Sequence, residues 1–494
     1  MFPTRPKSRQ TTAPRLPHTR SLFSPSAHRT LRIASFFLFY VVVATAPSAA
    51  QTIASDPGVR GGPAGAGGAI AGLTANQKAF FAAGLADFAQ LQSVKGTVPN
   101  TGGGLGPRFN GEGCGQCHAQ PSIGGTSPAT NPQMAAANDQ GATNQIPFFI
   151  TSTGPVREAR FPLSSDLSTP DGGVHDLFTI AGRSDAVGCN IQQPDFQAAA
   201  NMGNLIFRIP TPVYGGGLIE SIPESAIRAQ VHAQADQKRK LGISGRPNAL
   251  RGGGDGRLGG SPNTSGNDGT VTRFGWKAQN KSLEVFAGEA YNVEMGVTNE
   301  LFPNERDETP GCLFNGTPED LTNFDSSGTA LPSDIVRFAT FMRLLDQPQP
   351  APSTPSTQHG AQVFQQIGCA LCHTASFTTG QSSVAALTNV PANLFSDLLL
   401  HHMGPRLADD IVQGQAQGDE FRTAPLWGLG QRIFFLHDGR TPSLIKAILY
   451  HGAGDRPWEG NRRYPDSEAG AVINNYKNLS EQDKQDLLNF LRSL

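Results

Sequence analysis

The chain has 494 residues, 38% of them hydrophobic, with a mean hydropathy of -0.29, enough for two or three domains rather than one core. Glycine (57) and proline (37) are abundant and only 16% of residues are charged, which predicts a loop-rich fold and excludes coiled-coil, collagen-like and polytopic membrane classes. The formal charge of -1 hides an asymmetry: the first 50 residues hold seven Lys/Arg and no Asp or Glu, leaving 32 basic against 40 acidic residues beyond them. So acidic a remainder excludes nucleic-acid binding, which relies on basic surface to neutralise phosphates.

The basic stretch runs into an apolar segment at 33–46, followed by Pro47, Ser48, Ala49 and Ala50. That pattern predicts a signal peptide over 1–50, cleaved near Ala50, because about 14 apolar residues fall short of the roughly 20 that span a bilayer. The mature chain is then exported, periplasmic or otherwise outside the cytoplasm, with no membrane span, in an oxidising compartment. Residues 51–73, rich in glycine and alanine, predict a flexible linker. Thr74 and Gln77 form a capping box that opens a helix through about Leu91, with Phe80, Phe81, Leu85 and Phe88 on its apolar face.

Glycine-rich chain then delivers CGQCH (Cys114, Cys117, His118). Apolar runs alternate with Pro/Gly turns over 146–222, predicting irregular chain and short strands, and 245–269 reads as a flexible surface insertion. A helix at 333–345 closes a first half, 74–347, and the proline-rich 348–357 reads as a stiff linker. The second half, 358–494, begins with a short helix carrying Gly360, Val363, Phe364 and Ile367 into CALCH (Cys369, Cys372, His373). It ends in a capped helix at 480–494 with Leu487, Leu488, Leu491 and Leu494 on one face.

CxxCH is the haem c attachment signature. Two thiols add to the two vinyl groups of one haem, and the adjacent histidine turns under the ring to ligate iron. A zinc site built from both CxxC pairs would need no histidine after each second cysteine, and a thioredoxin-like pair belongs on a strand-to-helix turn. Two covalently bound haems are therefore expected, on Cys114, Cys117, Cys369 and Cys372, with His118 and His373 as proximal ligands. A helix before CxxCH and one at the end of the domain are the pair that clasp haem in cytochromes c. The predicted fold is mainly α, with two cytochrome c-like haem domains and short β insertions in the first. Cys189 and Cys312 remain, as a disulfide or as two free thiols.

Two longer segments resemble the bacterial dihaem cytochrome c peroxidase and MauG superfamily, most closely its dihaem oxidoreductase branch. Residues 421–452 (FRTAPLWGLGQRIFFLHDGRTPSLIKAILYHG) are similar to the family's R-T-P-x-L, F-H-D-G and T-L-x-x-A-V series, which ends in an iron ligand and glycine. Residues 273–296 (RFGWKAQNKSLEVFAGEAYNVEMG) resemble its F-W-D-G-R-A, L-x-x-Q-A and E-M-G series. The resemblance implies reduction of hydrogen peroxide with electrons from a small donor protein of the cytochrome c or cupredoxin type, or MauG-like oxidation of another substrate. A non-enzymatic dihaem electron carrier is the alternative.

Matched residue by residue, the resemblance puts His451 at the distal ligand position of the second haem, with Met403 in its HHMGP loop as the alternative. Trp276 corresponds to the aromatic residue between the haems, against an ordinary core tryptophan. Glu294 corresponds to the acid over the peroxidatic haem, against a structural glutamate. His437 falls near the interhaem region. Gly275-Trp276-Lys277-Ala278 and Phe286 depart from the family pattern, and they weaken the activity more than the fold. Met134 and His175 follow His118, but neither is assigned as its opposite ligand. Loop carboxylates Asp409, Asp410, Asp419 and Glu420 are of the kind that bind calcium, yet no EF-hand spacing is present.

Overall fold

Six helices set out the frame around the two CxxCH segments. The computed structural model describes residues 53–249, 271–452 and 464–494; the expected signal peptide and all but the first few residues of the insertion expected at 245–269 lie outside them. Helix α1 (Ala75–Ala89) starts at the expected capping box, with the Thr74 hydroxyl accepting the Gln77 N–H and Gln77 Oε1 accepting the Thr74 N–H. It stops at Gln90, short of Leu91, because Leu91 and Gln92 turn extended to pair with Thr101 and Gly102.

The remaining frame helices are α2 (Leu283–Met295), α3 (Asp334–Leu344), α4 (Pro355–Ile367), α5 (Leu444–Tyr450) and α6 (Glu481–Ser493). The proline-rich 348–357 is only partly a linker. Pro355, Ser356 and Thr357 form the first turn of α4, because Thr354 and Thr357 cap each other and proline is tolerated where helix N–H groups have no partner. The strands are short: β1 (Glu158–Arg160) lies between β2 (Val174–His175) and β3 (Ile206–Arg208), both antiparallel to it, and β4 (Leu400–His402) pairs antiparallel with β5 (Glu420–Arg422). The described chain is thus mainly helical with short strands. None of its helices is long and apolar enough to cross a membrane.

Each CxxCH segment is preceded by a helix that packs on a later one, α1 on α3 and α4 on α6. Phe81 and Phe88 of α1 meet the Phe341 ring at 5.4 and 5.0 Å, and Phe364 of α4 meets Phe490 of α6 at 5.4 Å. Both pairs cross at a glycine. A Cβ on Gly84 would land on the Arg337 carbonyl oxygen, and one on Gly360 would land on the Asp486 carbonyl oxygen. Gly360→Ala is expected to cost about 1–3 kcal/mol, since the crossing must open to admit a methyl group. An unchanged denaturant midpoint would refute that close approach.

Residues 53–73, read from composition as a flexible linker, run as a strap across the molecule. Arg60 N–H donates to Gly430 O (2.7 Å), Ile70 N–H to Leu344 O (2.9 Å), and Gly65 O accepts from Gln349 N–H (2.8 Å). Ile70 and Leu73 are buried in the first hydrophobic cluster, so side chains that composition discounts tie the glycines down. Cys189 and Cys312 form a disulfide between two loops 123 residues apart in sequence.

Candidate functional site

The two CxxCH segments are built by the same local device. Cys114–Cys117 forms one helical turn, and His118 follows it directly. The second segment starts at Gly368, whose φ of 103° ends α4 and reverses the chain into the turn Cys369–Leu371. His118 Nδ1 donates to Gly125 O (3.0 Å) and His373 Nδ1 to Phe395 O (2.9 Å). Each bond fixes the ring through Nδ1 and leaves Nε2 as the nitrogen available to a metal, with the Thr211 backbone also hydrogen-bonded to the His118 ring. Burial pushes both imidazoles down to about 4, so both are neutral. Burial also pushes the Cys114 and Cys369 thiols up to about 12, the opposite of what a reactive redox pair or a thiolate metal site requires.

Each segment opens onto a large cavity. The first, about 1220 Å³ including the part open to solvent, is lined by Cys114, Cys117 and His118. The second, about 1420 Å³ on the same basis, is lined by Cys369, Cys372 and His373. Two thiols and an imidazole at the edge of a mostly apolar cavity fit a covalently held porphyrin in both places. Trp276 lines both cavities. It is 8% exposed, its indole Nε1–H donates to Ile209 O (3.0 Å), and its carbonyl accepts the Arg422 N–H (2.9 Å).

The cavities differ in their polar groups. Glu294, at the end of α2, projects into the first and accepts from Asn110 Nδ2 (2.8 Å). Burial holds its carboxyl well above the usual range, and the neighbouring Glu158 carboxylate adds to the effect. Glu158, paired with Arg160, and Glu289, bonded to Asn280, line the same cavity. The second cavity contains His451, Met403 and His437 among its lining residues. His451, capping α5, directs Nδ1 to Ala447 O (2.7 Å), which leaves Nε2 free. Met403 packs in the small cluster of Ile209, Trp276, Phe421 and Phe434. The His437 ring stacks on Phe421 at 4.4 Å and lies edge-on to Trp276 at 6.5 Å.

Met134 and His175 do not line the first cavity; His175 stacks on Phe161 and pairs with Asp171 at 2.9 Å. The loop carboxylates of the kind that bind calcium have other partners. Asp409 pairs with Arg208 (2.7 Å) and Lys277 (3.0 Å), Asp419 with His402 (3.0 Å), and Glu420 with Arg246. They form no cation site among the described residues, where the one cluster with suitably placed donor atoms is Cys372, Asp397 and His401.

Residues 173–494 match the family described as "Di-haem oxidoreductase, putative peroxidase". The chain belongs to that di-haem oxidoreductase family. The match includes the second CxxCH and begins downstream of the first. Among solved structures, this di-haem oxidoreductase is similar to a MauG-like protein associated with microbial copper homeostasis, at 23% identity and a TM-score of 0.25, over 34% of this chain and 54% of that one. It is also similar to the diheme peroxidase BthA from Burkholderia thailandensis, at 16% identity and a TM-score of 0.28, over 45% of this chain and 66% of that one. A third is the hydrazine synthase of Kuenenia stuttgartiensis, at 15% identity and a TM-score of 0.28, over 58% and 73%. The chain thus spans about half of the first relative's length and just under two thirds of the second's. No curated protein matches it.

Sequence reasoning missed Glu158, Arg160, Arg208 and Glu289 in the first cavity of the di-haem oxidoreductase. The alternation Glu158-Ala159-Arg160 puts both charges on one face of β1, but a charged strand face ordinarily points to water. Here β3 pairs Arg208 opposite Glu158, and Glu158, Arg160 and Arg208 all line the cavity.

Proposed function

We propose that the chain is an exported dihaem c-type oxidoreductase of the peroxidase kind. It would be built from two cytochrome c-like halves and would reduce hydrogen peroxide with electrons from a small donor protein of the cytochrome c or cupredoxin type. One observation carries the reading: Trp276 forms a wall common to both CxxCH cavities, while three carboxyl groups, of Glu158, Glu289 and Glu294, line the cavity proposed for peroxide and the single Glu468 lines the second. Cys114 and Cys117, and Cys369 and Cys372, would carry the haems through thioethers, with His118 and His373 as proximal ligands. Once bound, the two haems supply a centre that reduces peroxide and a second that relays electrons to it.

The remaining steps belong to the chain. Glu294 accepts the proton from one oxygen of hydrogen peroxide and returns it to the other, which departs as water. Asn110 orients that carboxylate. Glu158, held by Arg160, raises the proton affinity of Glu294, so its carboxylate form takes the peroxide proton and is regenerated when that proton leaves with the departing water. Trp276 offers the π-system nearest to both cavities, and His437 with Phe421 extends it on the second side. His451, whose Nδ1 is held by Ala447 O, is the proposed further ligand of the second haem, with Met403 in the same cavity as the alternative.

Full-length protein matured with c-type haem should hold two haems per chain by pyridine haemochrome and oxidise a reduced cytochrome c in proportion to added peroxide. Two low-spin six-coordinate haems by electron paramagnetic resonance, without turnover, would leave an electron carrier instead. Peroxide consumption coupled only to oxidation of another substrate would select the MauG-like reaction.

A further inference from the structure

The second cavity carries positive charge that no carboxylate among the described residues balances. Arg422, on β5, and Arg432 are the only lysine or arginine residues that line it, and they are 9% and 8% exposed. Arg422 is fixed to the wall by its backbone N–H on Trp276 O (2.9 Å) and its Nε on Gly275 O (3.0 Å). Its Nη1 is buried without a partner. No hydrogen bond or carboxylate meets the Arg432 side chain among the described residues; burial pushes it down to about 10. Burial, and then the like charge of Arg432, does the same to Arg422.

Buried arginines elsewhere are satisfied, Arg183 by Glu112 and Asp185, Arg208 by Asp409 and Arg492 by Asp56, while Arg273 donates to the Ile219, Glu220 and Ile222 carbonyl groups. The one carboxylate lining the second cavity, Glu468, is taken by His401 (2.7 Å) and by Ser244 (2.8 Å). Burying an unpaired charge is costly, and two adjacent like charges cost more. The wall is therefore complete only with a dianion against it.

We infer that Arg422 and Arg432 receive the two propionate carboxylates of the second haem and hold that edge of the porphyrin against the Trp276 wall. The assignment rests on the proposed attachment of a haem to Cys369 and Cys372. A guanidinium offers a planar fork of donors that matches a carboxylate in a dry site, and two of them match the two propionates in number. Arg422 is bonded to the Trp276 backbone, so the same contact sets the distance and tilt between porphyrin edge and indole. Both arginines are positioning residues. They also border the small pocket between Trp276 and Trp427, which places the clamp on the side facing the first cavity.

The test is a spectroelectrochemical titration of the full-length holoprotein as wild type, Arg432→Gln and Arg432→Lys, with haem content measured on each. Removing a nearby cation favours the ferric state. R432Q should keep two haems and lower the second haem's reduction equilibrium constant about tenfold, or about 59 mV for one electron. R432K should restore most of it, and the first haem should stay within a small fraction of that shift. Two haems with unmoved potentials in R432Q, or an equal shift of both haems, overturns the clamp. Fewer than two haems in the wild type overturns the attachment itself. If R432Q does not fold, resonance Raman spectra of the wild type decide. Propionate bending modes of the second haem must report hydrogen-bonded carboxylates that change in R422K, and free carboxylates there reject the inference.

Discussion

Glu294→Gln is expected to lower kcat/KM for peroxide by about 10²–10⁴-fold while both haems remain attached, because the amide keeps the shape of the side chain but cannot carry the proton between the peroxide oxygens. Burial, then the Glu158 carboxylate, holds the Glu294 carboxyl well above the ordinary range, so the active base form is scarce in acid and grows as pH rises. The wild-type rate should therefore fall on the acid side. In Glu158→Gln the repulsion is gone, the Glu294 proton leaves more readily, and the acid limb should move to lower pH. Stopped-flow rates across pH check both variants. An E294Q rate within a factor of three of wild type, with haem content intact, removes Glu294 from the chemistry.

Asp56→Asn is expected to cost about 3–5 kcal/mol of stability near neutral pH, the range for breaking a buried ion pair and stranding its partner. Arg492 of α6 is 5% exposed along its side chain, and its Nε and Nη2 both reach Asp56 at 2.8 Å. Asp56 also accepts the Gly58 and Leu444 N–H groups, so one carboxylate joins the strap, α6 and the start of α5. Asp56 retains some contact with water, at 17% exposure, which places the effect at the lower end. Burial alone would raise its pKa, but the Arg492 and backbone hydrogen bonds hold it below the usual value. The stabilisation is thus complete above about pH 4 and lost as pH falls below it. Urea unfolding at pH 7 and in mild acid measures both. Equal midpoints for wild type and variant at pH 7 would show that the strap is not anchored there.

The expected helices were legible where the information is local. Thr74 with Gln77, and Ser480 with its four leucines, carry their own caps and apolar faces, and both helices occur within two residues of the expected ends. Composition misled at the strap, where Ile70 and Leu73 outweigh the surrounding glycines once a groove exists to bury them. It also misled at 355–357, where a cap converts proline-rich chain into helix. In the candidate site, Glu294 and Trp276 came from a resemblance, whereas Glu158, Arg160 and Glu289 carry no local signal. Glu158 and Arg160 line the cavity beside Arg208 of β3, a strand nearly fifty residues further on that pairs with β1 only in the fold.

The sequence by itself determined the two CxxCH segments proposed to carry the haems, because that signature is met within five residues and is independent of what surrounds it. It also determined the helices ahead of them, which need only neighbours along the chain. Tertiary structure alone decided that one indole serves both cavities, that three carboxyl groups line the first, and that Arg422 and Arg432 line the second with no carboxylate on either among the described residues. Those features join residues from about ten to more than two hundred and fifty positions apart, and their charges gain meaning only when folding removes the water that would otherwise have solvated them.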